Sequence, residues 1–279
     1  MNLQEFNKID QGLAEKELFA CCGSEKWVAT MLKEFAFSSA KNLVLAATKH
    51  WYNTCTAEDW RASFTQHPKI GDATSLEKKY AANEQGGMNA ASKSTIELLA
   101  KANEDYEKKF GFIFIVCATG KSGAEMLRLL QDRLSNNIND ELNIAMSEQH
   151  KITLIRLKKL LTTENWNWMK TSQLTTHVLD TSIGKPGKDI TIKLLNAKNE
   201  IISQGITNND GRISDLLPPE KNLTPGNYKM VFDTGNYFMS NNIKGFYPEV
   251  EIQFSVEDDS HYHIPLLISP FGFSTYRGS

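Results

Sequence analysis

The feature that most constrains the fold of this chain is a change of composition and hydrophobic period near residue 170. Of its eight prolines, Pro68 alone precedes that point and the other seven follow it. Apolar residues recur at spacings of three and four before it and alternate with polar residues after it. The first period is that of an amphipathic helix and the second that of a half-buried strand. A helical domain followed by a β domain is therefore predicted, and 279 residues are enough for two.

The first part of the chain predicts an all-α, bundle-like domain over residues 1–162. The segments with helical periodicity are 13–21, 26–35, 41–52, 122–134 and 138–161. Residues 112–116 have the composition of a strand, but no partner strand is evident nearby. We therefore expect them to form a buried extended or irregular segment between two helices.

The second part predicts an antiparallel β-sandwich over residues 173–279, after a linker at 163–172. Period-two segments lie at 176–180, 190–195, 201–206, 228–233, 250–256 and 261–268. Clusters of Gly, Pro, Asn and Asp separate them, as is typical of an all-β sandwich.

Charge and composition exclude several classes of function. The 31 Lys and Arg residues nearly balance the 33 Asp and Glu residues, so no large positive field exists to attract nucleic acid or an anionic membrane. No apolar run approaches the roughly 20 residues that span a bilayer, and the N-terminus lacks the pattern of a signal peptide. The four cysteines lack paired spacing, which indicates reduced thiols in the cytoplasm. A soluble protein acting on a small molecule is expected.

Two histidines near the C-terminus are candidates for chemistry. Alternation along a strand places His261 and His263 on one face, with Tyr262 and Ile264 on the other. This spacing suits zinc ligation, with His177 or a carboxylate as a third ligand. It also suits structural histidines or acid–base catalysis. The residues alone leave all three interpretations open.

Three motifs of the second part resemble the transthyretin-related 5-hydroxyisourate hydrolases. They are LTTHVLD at 174–180, Asp-Gly-Arg at 210–212 and the tail HYHIPLLISPFGFSTYRGS at 261–279. The hormone carriers of the transthyretin type lack the second histidine and the tyrosine of this tail, so the hydrolases are the better match. The resemblance implies a transthyretin-like sandwich that forms a homotetramer without metal or cofactor. Its implied catalytic residues are His177, Arg212, His263 and Tyr276, with Ser279 in substrate binding.

These residue types suit hydrolysis of a cyclic amide. A histidine can activate water and move protons, and the planar fork of an arginine can hold the carbonyl oxygens of an anionic ring. The sequence leaves two roles for His261, which are a place in the same channel and structural support.

The helical part carries motifs that are individually weak. A lone histidine such as His67 is more often structural, and Glu84-Gln85 on a helix is usually a solvated face. Gly120-Lys121-Ser122 resembles a phosphate loop, but position 115 is isoleucine where the loop requires its first glycine. Nucleotide binding is therefore not predicted.

Taken together, four motifs of this part resemble the 2-oxo-4-hydroxy-4-carboxy-5-ureidoimidazoline (OHCU) decarboxylases. They are HPKIGD at 67–72, Glu84-Gln85, FGFIFIVCATGKS at 110–122 and Ile155-Arg156-Leu157. The resemblance implies an all-α, dimeric enzyme without a cofactor, with His67 and Glu84 as catalytic groups. The implied substrate-binding residues are Pro68, Gln85, Ile115, Val116, Ala118 and Arg156.

The two resemblances predict a bifunctional enzyme of urate catabolism. One domain would hydrolyse 5-hydroxyisourate to OHCU, and the other would decarboxylate OHCU to (S)-allantoin. The expected partners are these two substrates and further copies of the chain, with dimer contacts from the helical domain and tetramer contacts from the sandwich. The alternative is that only one domain is active and the other is a ligand-binding or oligomerisation module.

Overall fold

The structure is a computed structural model that describes residues 1–67, 93–169, 172–213 and 215–278. The chain divides into two compact units, Met1–Met169 and Lys170–Ser279. We call them the helical unit and the sandwich unit and describe each by itself. None of the described helices is long and apolar enough to cross a membrane.

The helical unit contains helices with well-defined caps. Their bounds are α1 Leu3–Phe6, α2 Gln11–Cys22, α3 Glu25–Leu32, α4 Ala40–Asn53, α5 Ala57–Phe64, α6 Lys93–Phe110, α7 Gly123–Arg133 and α8 Ile138–Leu160. Ser122 caps α7 and Asn137 caps α8 by accepting bonds from backbone N–H groups of the first turn. Gly23 ends α2 with φ +80° and Gly111 follows α6 with φ +73°, a left-handed backbone that favours glycine. The predicted helices are confirmed, although α3 ends three residues early.

The core of the helical unit lies between α2, α3, α4 and α8. Trp27 and Trp51 are fully buried, and each indole N–H finds a backbone carbonyl, of Ala47 and of Met146, at 2.9 Å. The middle of α8 is buried nearly all round, including polar residues such as Glu148 and Gln149. Helix α8 therefore carries buried polar groups through the centre of the unit, where each needs a specific partner.

Residues 112–118 connect α6 to α7 and form neither a helix nor a strand. Phe112, Phe114, Ile115 and Cys117 are all buried. The predicted buried extended or irregular segment is therefore confirmed. The predicted linker, 163–172, stays a prediction, and Trp166, Trp168 and Met169 within it pack against the core of the helical unit.

The sandwich unit consists of two sheets. Its strands are β1 Leu174–Asp180, β2 Lys185–Pro186, β3 Thr191–Asn196, β4 Ile201–Ile206, β5 Arg212–Ile213, β6 Gly226–Phe232, β7 Val250–Val256, β8 Tyr262–Ser269 and β9 Gly272–Thr275, and a short helix α9 spans Thr234–Ser240. One sheet has the order β2-β1-β8-β9 with β5 also paired to β1, and the other has the order β4-β3-β6-β7.

The expectation of a purely antiparallel sandwich is wrong for one pair. Strands β1 and β8 run parallel over their whole length, with Leu174 opposite Tyr262 and Asp180 opposite Ile268. A parallel pair needs a long connection, and nearly the whole sandwich unit lies between these two strands. The core-facing residues of the pair, among them Val178 and Leu266, are fully buried. The intervening residues of both strands therefore share the outer face of the sheet.

Candidate active sites

His177, Arg212 and His263 lie together on this outer face. His177 of β1 is the register partner of Arg212 on β5. His263 of β8 is opposite Thr175, two residues before His177 on the same face of β1. Strands in a sheet are about 4.8 Å apart, so the three side chains from three strands share one surface. The structure therefore brings together three of the four residues predicted to catalyse hydrolysis.

The electrostatics of this surface favour neutral histidines. The pKa of His177 is lowered by partial burial first and by the charge of Arg212 second. The pKa of His263 is lowered by partial burial, then by the charges of Arg212, His261 and His177, while the Thr175 backbone opposes the shift. A neutral imidazole keeps a lone pair on one nitrogen. Both side chains are therefore poised to accept a proton at neutral pH.

The C-terminal tail packs against His263. The N–H of Gly278 donates to the carbonyl of His263 at 2.9 Å, forming an isolated antiparallel bridge. A Cβ atom at Gly278 would lie 2.4 Å from Cδ2 of His263, so the approach requires glycine. The guanidinium of Arg277 lies 5.6 Å from the ring centroid of Tyr262. Tyr276 is exposed at 60 %, and Ser279 lies outside the described residues.

One residue of this surface was missed from the sequence. The hydroxyl of Thr175 lies 2.9 Å from Nδ1 of His263 and 3.0 Å from Nε2 of His261. The two imidazole rings are nearly parallel, with an interplanar angle of 13°. The sequence signal for Thr175 was its place two residues before His177, but only the parallel register of β1 and β8 joins it to His263. In the described part of the chain, no group of three or more His, Cys, Asp or Glu residues could hold a metal ion.

In the helical unit, Arg156 contacts the C-terminal end of α2 directly, and His67 is linked to it through Gln149. His67 follows α5, and its Nε2 lies 2.6 Å from Oε1 of Gln149. The amide nitrogen of Gln149 donates to the carbonyl of Cys22 at 3.1 Å. Arg156, two turns further along α8, donates to the carbonyls of Ala20 at 3.2 Å and Cys21 at 3.4 Å. A positive side chain at the carbonyl end of a helix is electrostatically favourable.

The segment before α7 is fixed by charged side chains. The carbonyl of Ile115 accepts a hydrogen bond from Nη1 of Arg133 at 2.8 Å. The N–H of Cys117 donates to Oε2 of Glu148 at 2.7 Å, and the other carboxylate oxygen of Glu148 binds Nζ of Lys151 at 2.6 Å. Helix α8 therefore anchors this segment through Glu148, and it anchors His67 through the adjacent Gln149.

The remaining predicted residues of the decarboxylase site divide into two groups. The side chains of Ile115 and Val116 are buried, which leaves their backbone groups for contact with a substrate, and Ala118 is partly exposed. Pro68, Glu84 and Gln85 lie outside the described residues. The structure thus describes His67, Arg156 and the backbone segment of this site.

The comparisons with known proteins agree with both units. The OHCU decarboxylase family profile matches residues 7–158, and the HIUase/transthyretin family profile matches residues 174–278. The uric acid degradation bifunctional protein TTL of Arabidopsis thaliana is 30% identical, over 96% of this chain and 99% of that protein. The 5-hydroxyisourate hydrolase of Salmonella typhimurium is 43% identical, over 38% of this chain and 80% of that protein. A crystal structure of OHCU decarboxylase in the presence of (S)-allantoin is 37% identical over 52% of this chain and 97% of that chain, with a TM-score of 0.45.

The match to the Arabidopsis protein extends through both units in a single alignment, and each unit separately matches the family that its motifs resemble. The chain therefore belongs to the OHCU decarboxylase family in its helical unit and to the HIUase/transthyretin family in its sandwich unit, and it is a bifunctional enzyme of urate degradation with lyase and hydrolase activities.

Proposed function

We propose that the outer face of the β1–β8 pair is the site at which 5-hydroxyisourate is hydrolysed. The observation that carries this proposal is the placement of His177, Arg212 and His263 on one surface, with both histidines biased toward their neutral forms. A neutral histidine takes a proton from water as the water attacks the ring carbonyl, and Arg212 binds the oxygen on which negative charge develops. The protonated histidine then delivers its proton to the leaving ring nitrogen.

The tail forms one wall of this site. The bridge between Gly278 and His263 supports this role, because it joins the tail to the strand that carries His263. In this proposal Tyr276 orients the substrate or the attacking water from its exposed position, and Ser279 adds a hydroxyl group. Opening of the ring amide produces a carboxylic acid and a ureido group, which are the substituents of OHCU.

The helical unit then decarboxylates OHCU to (S)-allantoin, and we place its site at the C-terminal end of α2. The supporting observation is that Arg156 donates to the carbonyls of Ala20 and Cys21, while Gln149, the partner of His67, donates to the carbonyl of Cys22. Arg156 would exchange a carbonyl partner for an anionic group of the substrate. Backbone groups of Ile115, Val116 and Ala118 would bind the ureido and ring groups, together with Pro68 and Gln85.

The chemistry of decarboxylation fits this set of residues. When the carboxylate leaves as carbon dioxide, its electron pair remains on the ring carbon and is delocalised into the adjacent C=N bond. The hydroxyl group on that carbon then loses its proton and becomes a carbonyl, the ring nitrogen gains a proton, and His67 or Glu84 protonates the former C=N carbon on one face, which yields a single enantiomer. His67 is bonded to Gln149 and Gln149 to α2, so the imidazole has a fixed direction from which to act.

We also propose a homo-oligomer in the cytoplasm, with dimer contacts from the helical unit and tetramer contacts from the sandwich. Within the described part of the chain, strands β7 and β9 lie at the edges of their sheets, and Phe246 and Phe271 are exposed at 69 % and 71 %. The four cysteines are free and buried, which is typical of proteins in a reducing compartment.

The experiment that tests the two sites uses urate oxidase to generate 5-hydroxyisourate and follows circular dichroism. The unaltered chain should give a single allantoin enantiomer rapidly. His67→Ala should accumulate OHCU while hydrolysis continues, and His263→Ala should slow hydrolysis while added OHCU is still decarboxylated. Gln66→Ala is the matched control, because its exposed side chain bonds only to Thr65 among the described residues. Loss of both activities in either histidine variant, with the fold intact, would contradict the two-site arrangement.

A further inference from the structure

The hydroxyl of Thr175 lies between two histidines of unequal exposure. It contacts Nδ1 of the half-buried His263 at 2.9 Å and Nε2 of the exposed His261 at 3.0 Å. Among the described residues, these two ring nitrogens are the partners of the hydroxyl. Because Nδ1 of His263 is engaged by Thr175, its Nε2 is the nitrogen that remains for the substrate or the attacking water.

A hydroxyl group carries one proton, and this limits the states of the three side chains. If Nε2 of His261 has a lone pair, Thr175 donates to it and accepts from an Nδ1–H of His263. The neutral ring of His263 then has its lone pair on Nε2 and can act as a base. If His261 is protonated, its Nε2–H donates to Thr175, and the proton of the Thr175 hydroxyl is freed for Nδ1 of His263, its other partner among the described residues. The neutral ring of His263 then carries its proton on Nε2 and cannot accept another there.

We propose that Thr175 is a positioning residue through which the protonation of His261 selects the tautomer of His263. Neutral His261 with its lone pair on Nε2 holds His263 as the base that hydrolysis needs, and protonated His261 favours the tautomer of His263 that is a proton donor. His261 is exposed, so it exchanges protons with solvent directly. This inference rests on the proposed role of His263 as a base in the sandwich site.

Other charges around His263 act in a different way. Arg212 of β5 and His177 of β1 face the same surface, and both act on His263 through Coulombic repulsion of its protonated form. Their effect changes how readily the imidazole gains a second proton. It does not select which nitrogen of the neutral ring holds the first one, since neither is among the hydrogen-bond partners of Nδ1 given by the described residues.

Substitutions at His261 separate tautomer selection from a simple charge effect. A lysine is a permanent donor toward Thr175, and a glutamate is a permanent acceptor while ionised. We expect His261→Lys to lower the rate constant of hydrolysis at least about tenfold between pH 6 and 9, because the base form of His263 is lost. We expect His261→Glu to retain hydrolysis within about threefold and to extend it to lower pH than in the unaltered chain.

If His261 acted on His263 through its charge alone, the two substitutions would shift the pH profile of hydrolysis in the opposite directions. A lysine would lower the pKa of His263 and move the acid limb of the pH profile to lower pH, and a glutamate would raise that pKa and move the limb to higher pH. Observation of these shifts without a loss of rate in His261→Lys would overturn the proposal. Decarboxylation of OHCU by the same chain serves as the internal control for folding and concentration.

Two changes at Thr175 complete the experiment. Thr175→Val keeps the β-branched shape on β1 but removes the hydroxyl, so we expect reduced hydrolysis and no further difference between lysine and glutamate at position 261. Thr175→Ser keeps the hydroxyl and should restore that difference. If Thr175→Val behaves as the unaltered chain, the tautomer role is wrong. If His263→Gln retains full hydrolysis, the proposed site itself is wrong, so the two failures are distinguishable.

Discussion

Replacement of Arg133 by methionine should destabilise the helical unit and leave the sandwich unaffected. Arg133 is 1 % exposed and lies in a cluster with the fully buried Glu141. Its Nε donates to Oε1 of Glu141 at 2.7 Å, its Nη1 donates to the carbonyl of Ile115, and its guanidinium lies 4.6 Å from the ring centroid of Phe114. The nearby Tyr106 hydroxyl also donates to Glu141. The charge of Glu141 and the backbone at Ile115, in the segment proposed to bind substrate, therefore depend on one side chain.

The expected cost follows from what the substitution leaves behind. Methionine fills much of the volume, but the carboxylate of Glu141 loses its cation and keeps hydrogen bonds from Tyr106 and from Asn136 at 2.9 Å. Removal of one partner of a buried ion pair costs about 3–5 kcal/mol. For a unit of this size each kcal/mol lowers Tm by about 2–4 °C, so the helical transition should fall by about 6–20 °C. Decarboxylation should also weaken, since the carbonyl of Ile115 loses its donor.

Scanning calorimetry and thermal circular dichroism can measure this change, with the sandwich transition and hydrolysis as internal references. The double variant Arg133→Met with Glu141→Leu removes both charges and should recover a large part of the lost stability. A fall in Tm below about 2 °C in the single variant would refute the reasoning, because the buried charge would then have found other compensation. Equal destabilisation of the sandwich would refute it as well.

Three further predictions concern the proposed sites. Gly278→Ala should reduce hydrolysis by about tenfold or more and spare decarboxylation, because its Cβ would overlap His263, and unchanged hydrolysis kinetics would refute the tail's role. The kcat of hydrolysis should decline as pH falls through the lowered pKa values of the site histidines. Arg212→Met removes a positive charge and should move this acid limb of the kcat profile to higher pH. Asp210→Asn removes a charge that raises the pKa of His177 and should move the acid limb to lower pH. Gln149→Glu should raise the pKa of His67 and shift the pH profile of decarboxylation upward, a shift that a merely structural role of Gln149 would not produce.

Much of the fold could be predicted because it depends on local periodicity. Five of the helices and six of the strands follow the spacing of apolar residues within single segments, and buried Val178 and Leu266 occupy the core positions that alternation requires. The short strands β2, β5 and β9 and helix α9 have too few residues to show a period. The parallel pairing of β1 with β8 could not be predicted, since strand direction and register depend on contacts between residues far apart in sequence.

The sequence by itself determined the two-part architecture, the two families and the residue types available for each reaction, because periodicity and motifs are properties of short segments. Only the tertiary structure decided that Thr175 joins His261 to His263, that Gly278 must lack a side chain beside His263, and that Glu148 and Gln149 bind Cys117 and His67 from adjacent positions of α8. These contacts join residues that are 15 to 88 positions apart in the sequence. The pair Gly278 and His263 is the shortest, and every other contact spans at least 31 positions. Distances of that kind are set by the packing of whole elements, which no local pattern encodes.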